Sequence, residues 1–255
     1  MKLGFIGTGI ISSALVTGFC KADIPDLHIW VSPRSRDKAA ALHAAYPDIV
    51  TIAGQNQEVI DHADWIFAAL LPDAAEGILS ELTWPKEKKF INLVMTLSTV
   101  RAREIIGDRE IIADVVPLTF AANRFGPAVI YPPVPEVCEL MSYVSDAVPV
   151  ETAQQMAILR AMSGMMSPYY MLISKLVDWC VANGLDEPSA RSYVTGFYGA
   201  LSKNAAVFDG PLEDLAREAT PGGINYQALT WLEDHDNYSE WTEILDPILK
   251  RVIKE

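Results

Sequence analysis

The sequence predicts an α/β protein in which a doubly wound parallel sheet over residues 1–150 is followed by an all-α domain over residues 151–255. Up to Val150, short apolar runs of strand length alternate with segments of helical character, which is typical of a parallel sheet with helices on both faces. After Glu151 the strand patterns end, and apolar residues recur with helical spacing. A glycine-rich turn follows the first strand and indicates that the sheet binds an anionic ligand.

The first strand, residues 2–6, leads into a turn and a helix with the pattern of the dinucleotide-binding fingerprint G-x-G-x-x-G. Gly7 permits the tight turn, and Gly9 lets the backbone approach a pyrophosphate. Ser12 replaces the third glycine and is small enough for the helix to pack closely on the strand. The free N–H groups at the start of this helix favour negative charge. The predicted phosphate-binding residues are Gly7, Thr8, Gly9, Ile10 and Ile11.

Two other interpretations of this segment remain open. Lys2 and the apolar stretch that ends at Cys20 share features with a secretory signal, although a signal needs a continuous apolar region and small residues at its cleavage site. Here glycines interrupt the run, and Phe19 precedes the cysteine. The other interpretation is an ordinary buried strand and turn without a ligand, because short motifs recur by chance.

The second strand, residues 28–31, ends about 20 residues after the glycines, as the fold requires. A carboxylate at this point would bind the ribose 2′-hydroxyl of NAD and repel a 2′-phosphate. The sequence instead has Ser32, Arg34 and Ser35, whose guanidinium and hydroxyl groups suit a 2′-phosphate. We therefore expect NADPH in preference to NADH. A solvated basic turn is the alternative.

The remaining elements follow the same patterns. A helix is predicted over 99–106, with Ser98 or Thr99 as its N-cap. The further strands are predicted at 64–71, 90–95, 110–116, 128–131 and 147–148. The helices of the second domain are predicted at 152–162, 168–183, 187–206, 224–234 and 239–253.

The helix from Pro168 is apolar nearly all round, so we expect it to be buried, either inside its own domain or against a second subunit. A helical domain of this size has little room for a private core. We therefore expect a homodimer or a higher homo-oligomer.

Composition limits the function. The net charge of −13 argues against a nucleic-acid partner, because nucleic-acid phosphates would be repelled. Cys20, Cys138 and Cys180 are odd in number and widely spaced, and fit neither a metal site nor a disulfide framework. No stretch long enough to span a bilayer lacks charged or turn residues. These features predict no metal, no membrane partner and a cytoplasmic location.

Two small-residue segments precede helices in the second half. Thr220-Pro221-Gly222-Gly223 leaves N–H groups uncovered and could bind a small anion such as a carboxylate. Ser163-Gly164-Met165-Met166-Ser167-Pro168 is a similar break before the apolar helix. A plain helix N-terminus with a proline near its start remains the alternative for both.

Together with Gly4-Phe5-Ile6-Gly7-Thr8-Gly9, these two segments resemble the motifs of the pyrroline-5-carboxylate reductase family, and the similarity covers essentially the whole length. Asn183-Gly184-Leu185 resembles the Gly-Leu turn of that family. The resemblance implies a Rossmann domain followed by a helical domain that intertwines in a dimer. It also implies NAD(P)H-dependent reduction of a cyclic imine that carries a carboxylate, the last step of proline synthesis.

The sequence departs from the family pattern at four places. Leu71-Pro72 stands where the family has Lys-Pro, and Met95-Thr96 stands where it has Ala-Gly. Val116-Pro117-Leu118-Thr119-Phe120 replaces Met-Pro-Asn-Thr-Pro. Ile224-Asn225 replaces two threonines, the second of which contacts the substrate in the family. A different substrate therefore remains open.

The resemblance also implies where coenzyme and substrate bind. Strand ends line the nicotinamide in this family, which adds Leu70, Leu71 and Pro72 to the predicted coenzyme site. We expect the N–H groups of Gly222 and Gly223, with Thr220, to hold the substrate carboxylate. Asn225 would hydrogen-bond near the imine nitrogen, which makes Asn225 and Thr220 the predicted catalytic residues. Ser163 or Tyr169 of the partner subunit would complete the pocket.

Three functions are consistent with these features. The first is the imine reductase. The second is another NADP-linked oxidoreductase, such as one that exchanges hydride with a deazaflavin, although that family does not account for the Pro-Gly-Gly segment. The third is a non-catalytic dinucleotide-binding protein, which the departures favour. A fold alone does not decide between them.

Overall fold

A computed structural model describes residues 1–254, which form two compact units, Met1–Arg160 and Ala161–Lys254. The first unit contains an eight-stranded sheet with the order β3-β2-β1-β4-β5-β6-β7-β8. The strands are β1 Lys2–Ile6, β2 His28–Val31, β3 Val50–Ile52, β4 Trp65–Ala68, β5 Lys89–Asn92, β6 Ile112–Val116, β7 Pro127–Tyr131 and β8 Asp146–Pro149. The predicted α/β class, with a sheet followed by helices, is confirmed.

One strand pair differs from the all-parallel prediction. β7 pairs antiparallel with β6, and β8 then pairs parallel with β7. The connection from β6 to β7 contains a short 3-10 turn, Thr119–Asn123, and no crossover helix. Parallel neighbours need a long crossover, whereas antiparallel neighbours accept a short link, so the short connection reverses the strand.

The sheet is covered on both faces, and alternate residues of its strands enter two hydrophobic clusters. Leu3 and Phe5 of β1 belong to one cluster, and Ile6 belongs to the other. The rings of Phe5 and Phe67 stack with centroids 4.6 Å apart. Burial on both faces explains the nearly continuous apolar runs of the strands.

The helices of the first unit are α1 Ile10–Lys21, α2 Arg36–Ala45, α3 Asn56–His62, α4 Pro72–Ser80, α5 Thr99–Ile106, α6 Pro135–Ser142 and α7 Ala153–Met162, the last of which extends into the second unit. The boundary expected from the sequence, after residue 150, precedes α7. α5 has the predicted bounds, and its N-cap is Ser98, whose hydroxyl accepts a hydrogen bond from the Arg101 N–H at 3.1 Å.

The second unit is helical. Its helices are α8 Met166–Ala182, α9 Glu187–Val207, α10 Leu212–Arg217, α11 Ile224–Asp234, α12 Asn237–Glu243 and α13 Leu245–Lys254. The sequence predicted one helix over 239–253, but the structure has two, which meet at Ile244. Pro247 explains the break, because proline lacks an N–H group and fits only the first turn of a new helix.

α8 does not have the burial expected of an apolar helix within its own domain. Val177 is its buried residue, whereas Met171 and Trp179 are 60% and 65% exposed in the single chain. The alternative that α8 is buried inside its own domain is therefore wrong. Burial against a second subunit stays a prediction. Among residues 1–254, no helix combines the length and the apolar character needed to cross a membrane.

Candidate coenzyme and substrate sites

The turn after β1 requires glycine at its first position. Gly7 has a φ of +95°, and a Cβ at this position would lie 2.2 Å from the carbonyl oxygen of Ala69, which follows β4. The Gly7 N–H donates to the hydroxyl of Ser32 at 2.8 Å. The turn is therefore fixed between the ends of β2 and β4.

The start of α1 offers free backbone donors. Gly9 is the N-cap and brings no capping side chain, and a Cβ added to it would meet nothing within 4 Å. The hydroxyls of Ser12 and Ser13 donate to the carbonyl oxygens of Gly7 and Gly9 at 2.6 and 2.8 Å. Because these hydroxyls donate and do not accept, they do not cap the N–H groups of Ile10 and Ile11. As first-turn groups, these two N–H groups also have no acceptor within the helix. An open space before uncapped donors fits a diphosphate.

Thr8 and Ser32 lie behind this turn. Each is 1% exposed, and the Thr8 hydroxyl donates to the Ser32 carbonyl oxygen at 2.8 Å. Ser32 was predicted to contact the coenzyme, but its hydroxyl is held by the Gly7 N–H and by Thr8. The structure thus gives Ser32 a role in holding the glycine turn, which the neighbouring ends of β1 and β2 make possible.

The segment after β2 carries exposed cations. Arg34 and Arg36 are exposed, and no residue in the described part of the chain pairs with the Arg34 guanidinium. Ser35 is the N-cap of α2, and its side chain makes no capping hydrogen bond. Both Arg34 and the Ser35 hydroxyl are therefore available to an external anion.

The predicted nicotinamide-side residues lie where β4 ends. Leu70 is partly buried, Leu71 is 67% exposed and is the N-cap of α4, and Pro72 begins that helix. The N–H of Leu93, just after β5, donates to the Ala68 carbonyl oxygen at 2.9 Å. The chain segments that follow β4 and β5 thus share one edge of the sheet, the edge at which doubly wound folds bind ligands.

A buried polar cluster at this edge was not predicted. Asn92, the last residue of β5, and Asp114 on β6 are register partners. Asn92 Nδ2 donates to one carboxylate oxygen of Asp114 at 2.8 Å, and Thr99 Oγ1 donates to the other at 3.3 Å. Burial raises the pKa of Asp114 from 3.8 to about 6, and the hydrogen bonds from Asn92 and Thr99 oppose that rise. Strand register brings these residues together, and the sequence does not reveal that register.

Replacing Asp114 with asparagine is expected to stabilise the protein at neutral pH. Because its folded-state pKa is raised, the stability contribution of Asp114 is present below about pH 4 and is lost as the pH rises through about 6. An amide avoids the buried charge, so we expect a gain in unfolding free energy of about 1–3 kcal/mol at pH 7.5 and little gain at pH 4. Urea unfolding at both pH values measures this difference. An equal gain at both would contradict the assignment.

The predicted carboxylate site in the second unit is a tight turn. The Gly223 N–H donates to the Thr220 carbonyl oxygen at 2.9 Å, and Gly222 has a φ of +78°. Proline and glycine at the two central positions with this φ match a type II turn. The Gly223 N–H is therefore engaged in the turn, and Gly223 is the N-cap of α11. No side chain caps α11, so the free donors are those of its first turn.

The other predicted substrate residues also belong to the second unit. Asn225 is exposed in the first turn of α11, beside Ile224, which is 84% exposed. Ser163 begins the 3-10 turn Ser163–Met165 between α7 and α8, and Tyr169 in the first turn of α8 is 39% exposed. These groups belong to the second unit, whereas the predicted coenzyme residues belong to the first. The site assignments therefore stay predictions.

Comparisons with known proteins agree with this architecture. The family model described as NADP oxidoreductase, coenzyme F420-dependent, matches residues 2–95. Pyrroline-5-carboxylate reductase from Escherichia coli K12 is 27% identical over 251 residues, which covers 91% of this chain and 90% of that protein. The enzyme of the same name from Corynebacterium melassecola is 26% identical over 246 residues, with the same coverage. The solved structure of Plasmodium falciparum pyrroline carboxylate reductase with NADP bound has a TM-score of 0.83 at 23% identity and covers 99% of this chain and 97% of its own.

Over most of its length the chain is thus similar to pyrroline-5-carboxylate reductases, at 26–27% identity. The glycine turn lies in the part that the family model matches, whereas the Thr220–Gly223 turn lies beyond residue 95. Only the comparisons over the whole length include that second turn. Residues 2–95 are therefore similar both to the family model and to the reductases, whereas the helical unit is similar to the reductases.

Proposed function

We propose that this protein uses NADPH to reduce a small cyclic imine carboxylate, pyrroline-5-carboxylate or a close relative of it. The similarity to these reductases indicates an NAD(P)H-dependent oxidoreductase that acts on a C=N bond. The observation that carries the proposal is the open, uncapped start of α1 beside Gly9. The identity of the substrate and the preference for NADPH over NADH are the parts of the proposal that go beyond this similarity.

The coenzyme site is proposed in the first unit. The N–H groups from Gly9 to Ile11 would hold the diphosphate, with Ser32 and Thr8 fixing the turn behind them. Arg34 and Ser35 would bind a 2′-phosphate, because both are free of partners within the described chain. The bound coenzyme supplies the hydride, and Leu70, Leu71 and Pro72 would border its nicotinamide.

The substrate carboxylate is proposed to bind in the second unit. Because the Gly223 N–H is used by the turn, the donors of the first turn of α11, with Gly222 and Thr220, would hold the anion. Asn225 would donate to or accept from the group next to the imine nitrogen. Ser163 and Tyr169 would be supplied by a partner subunit.

This chemistry needs little acid–base machinery from the protein. A protonated C=N bond is already electrophilic, so the chain mainly has to position the reacting groups. The four histidines, His28, His43, His62 and His235, agree with that, since none belongs to the proposed site segments. His43 and His235 each contact a backbone carbonyl oxygen of their own neighbourhood.

An NADPH-oxidation assay with pyrroline-5-carboxylate, a panel of other cyclic imines and a panel of 2-oxo acids tests the proposal. Oxidation with a cyclic imine carboxylate is the expected result. Oxidation with 2-oxo acids alone would contradict the substrate class. No turnover with any of them, despite measurable NADPH binding, would favour a non-catalytic dinucleotide-binding protein.

Asn225→Ala is expected to lower kcat/KM for the imine by roughly 10- to 100-fold, the loss expected when a positioning hydrogen bond disappears. The fold should not change, because Asn225 is exposed. Asn204→Ala, a change of the same kind at an exposed position of α9, serves as the control. Steady-state kinetics of both variants measure the effect, and equal activity of the two would remove Asn225 from the site.

A deazaflavin-linked oxidoreductase is the second candidate, and the family model over residues 2–95 favours it. That match covers the coenzyme domain alone and leaves the Thr220–Gly223 turn unexplained. Reduction of NADP⁺ by a reduced deazaflavin, measured in a separate assay, together with no imine turnover would support this candidate instead.

We also propose a homodimer or a larger homo-oligomer in the cytoplasm. The second unit exposes many large apolar side chains, and an open groove of about 550 Å³ is lined by Trp179, Ile224, Gln227, Ala228, Trp231 and Leu232. Large exposed apolar areas are typical of interfaces. Cys20, Cys138 and Cys180 are free thiols, as in a reducing compartment, and burial raises the pKa of Cys20 to about 12.

A further inference from the structure

The loop between β5 and α5, residues 93–98, is tied down by the side chain of Asn92. The Oδ1 atom of Asn92 accepts the Val94 N–H at 3.0 Å, and its Nδ2 atom donates to the Leu97 carbonyl oxygen at 2.5 Å. Val94 and Leu97 are buried, whereas Met95 and Thr96 are exposed. One side chain thus holds both ends of a loop whose tip faces solvent.

Two further contacts place this loop at the coenzyme edge of the first unit. The N–H of its first residue, Leu93, donates a hydrogen bond to the carbonyl oxygen of Ala68 at the end of β4. A guanidinium nitrogen of Arg160 in α7 donates to the Met95 carbonyl oxygen at 3.1 Å. The exposed tip therefore lies beside the segment that follows β4.

We propose that Asp114 is a positioning residue that controls the order of the loop 93–98 through Asn92 and Thr99. The carboxylate of Asp114 accepts hydrogen bonds from Asn92 before the loop and from Thr99 after it. Both hinges of the loop thus meet at one ionisable group. Contact between this loop and the coenzyme belongs to the proposed dinucleotide function, and the role of Asp114 does not rest on it.

The charge on Asp114 sets the direction of the effect. In the closed loop the carboxyl is buried, and burial raises its pKa to about 6. An open loop would hydrate the group and return its pKa toward the ordinary value. Protonation therefore favours the closed loop, and ionisation above pH 6 favours opening.

No charged neighbour accounts for this shift among the residues described. The register partner of Asp114 on β7 is Tyr131, and Asn92 on β5 is neutral. Of the α5 cations, Arg101 pairs with Glu76 and Glu104 and Arg103 pairs with Asp108. Lys89 of β5 lies over the Trp65 ring, and the α7 cation, Arg160, contacts the loop backbone. Burial is the main cause of the raised pKa.

Hydrogen–deuterium exchange of peptides covering 93–99, corrected for intrinsic rates and measured between pH 5 and 8, tests the role of Asp114. Opening of the loop should increase by about tenfold or more from pH 5 to 7.5, the factor for one unit of pKa difference between the closed and open loop. Asp114→Asn should keep the loop closed at both pH values, because an amide bonds to Asn92 and Thr99 without charge. Glu110→Gln is the matched control, since Glu110 is exposed and lies two residues before β6.

Thr99→Val gives a second readout. Loss of the hydroxyl removes a donor that opposes the raised pKa, so the midpoint of loop opening should move to higher pH. The pH profile separates this role from general support of the fold. A flat profile in the wild type, the same step in Asp114→Asn, or a midpoint unmoved by Thr99→Val would each overturn the role of Asp114.

Hydrogen–deuterium exchange in saturating NAD⁺ tests whether the loop contacts the coenzyme. NAD⁺ is chosen because it lacks the 2′-phosphate, which itself titrates near pH 6. Protection of 93–99 by at least about threefold at pH 7.5 is expected, whereas calorimetric binding without protection would overturn coenzyme contact. If neither NAD⁺ nor NADP⁺ binds, the proposed dinucleotide function fails, and the pH profile still decides the role of Asp114.

Discussion

Gly7→Ala is expected to destabilise the first unit and to abolish dinucleotide binding. The φ of +95° disfavours any residue with a Cβ, and the new methyl group would lie 2.2 Å from the Ala69 carbonyl oxygen. Backbone strain and displacement of a rigid neighbour together suggest a loss of about 2–4 kcal/mol in unfolding free energy. The turn must shift, so its N–H groups no longer converge on the diphosphate. Thermal unfolding and calorimetry with NADPH measure the two effects.

Gly9→Ala is the matched control for this prediction. Gly9 has a φ of −84°, and its added Cβ would meet nothing within 4 Å. The fold should therefore keep its melting temperature, while the methyl group occupies the space proposed for the pyrophosphate and weakens NADPH binding by on the order of tenfold or more. Gly77→Ala in α4 has equal space and no proposed ligand. Unchanged NADPH affinity in Gly9→Ala would contradict the location of the diphosphate.

Arg34→Ala is expected to weaken NADPH binding far more than NADH binding. The guanidinium is exposed and has no partner in the described chain, so its removal disturbs no internal contact. Loss of a charge-assisted hydrogen bond to the 2′-phosphate predicts a decrease of about 1.5–3 kcal/mol for NADPH, or roughly 10- to 150-fold in Kd. Parallel titrations with both nucleotides measure the difference.

Two variants control for general charge effects. Lys38→Ala removes a cation from α2, the helix that follows Arg34, and should affect both nucleotides little. Arg34→Lys should recover part of the NADPH affinity, because a lysine keeps the charge but lacks the planar fork of donors. Equal losses for NADPH and NADH in Arg34→Ala would rule out a 2′-phosphate contact.

The sequence predicted the elements whose signals are local. The glycine turn needs only the adjacent strand and helix, and α5 needs only its cap, so both have their predicted form. The prediction of a single helix over 239–253 is wrong, because Pro247 divides that segment into α12 and α13. Residue patterns among neighbouring positions therefore predicted most of the helices and strands.

The features that depend on strand neighbours were not predictable in the same way. Ser32 resembles a coenzyme ligand in the sequence, but the adjacent end of β1 captures its hydroxyl. Asn92 and Asp114 meet only because β5 and β6 pair in one register. The engaged Gly223 N–H was missed although the Pro-Gly pair that makes a type II turn was visible.

The inverted strand β7 has a consequence for how the chain leaves the sheet. Because β7 and β8 run opposite to β6, β8 ends at the rim away from the edge at which β4 and β5 end. α7 then travels back across the layer, and Arg160 at the end of the first unit reaches Met95. If β7 and β8 ran in the same direction as β6, the same helix would end at the opposite rim of the sheet. A ten-residue link without a helix thus decides where the backbone emerges.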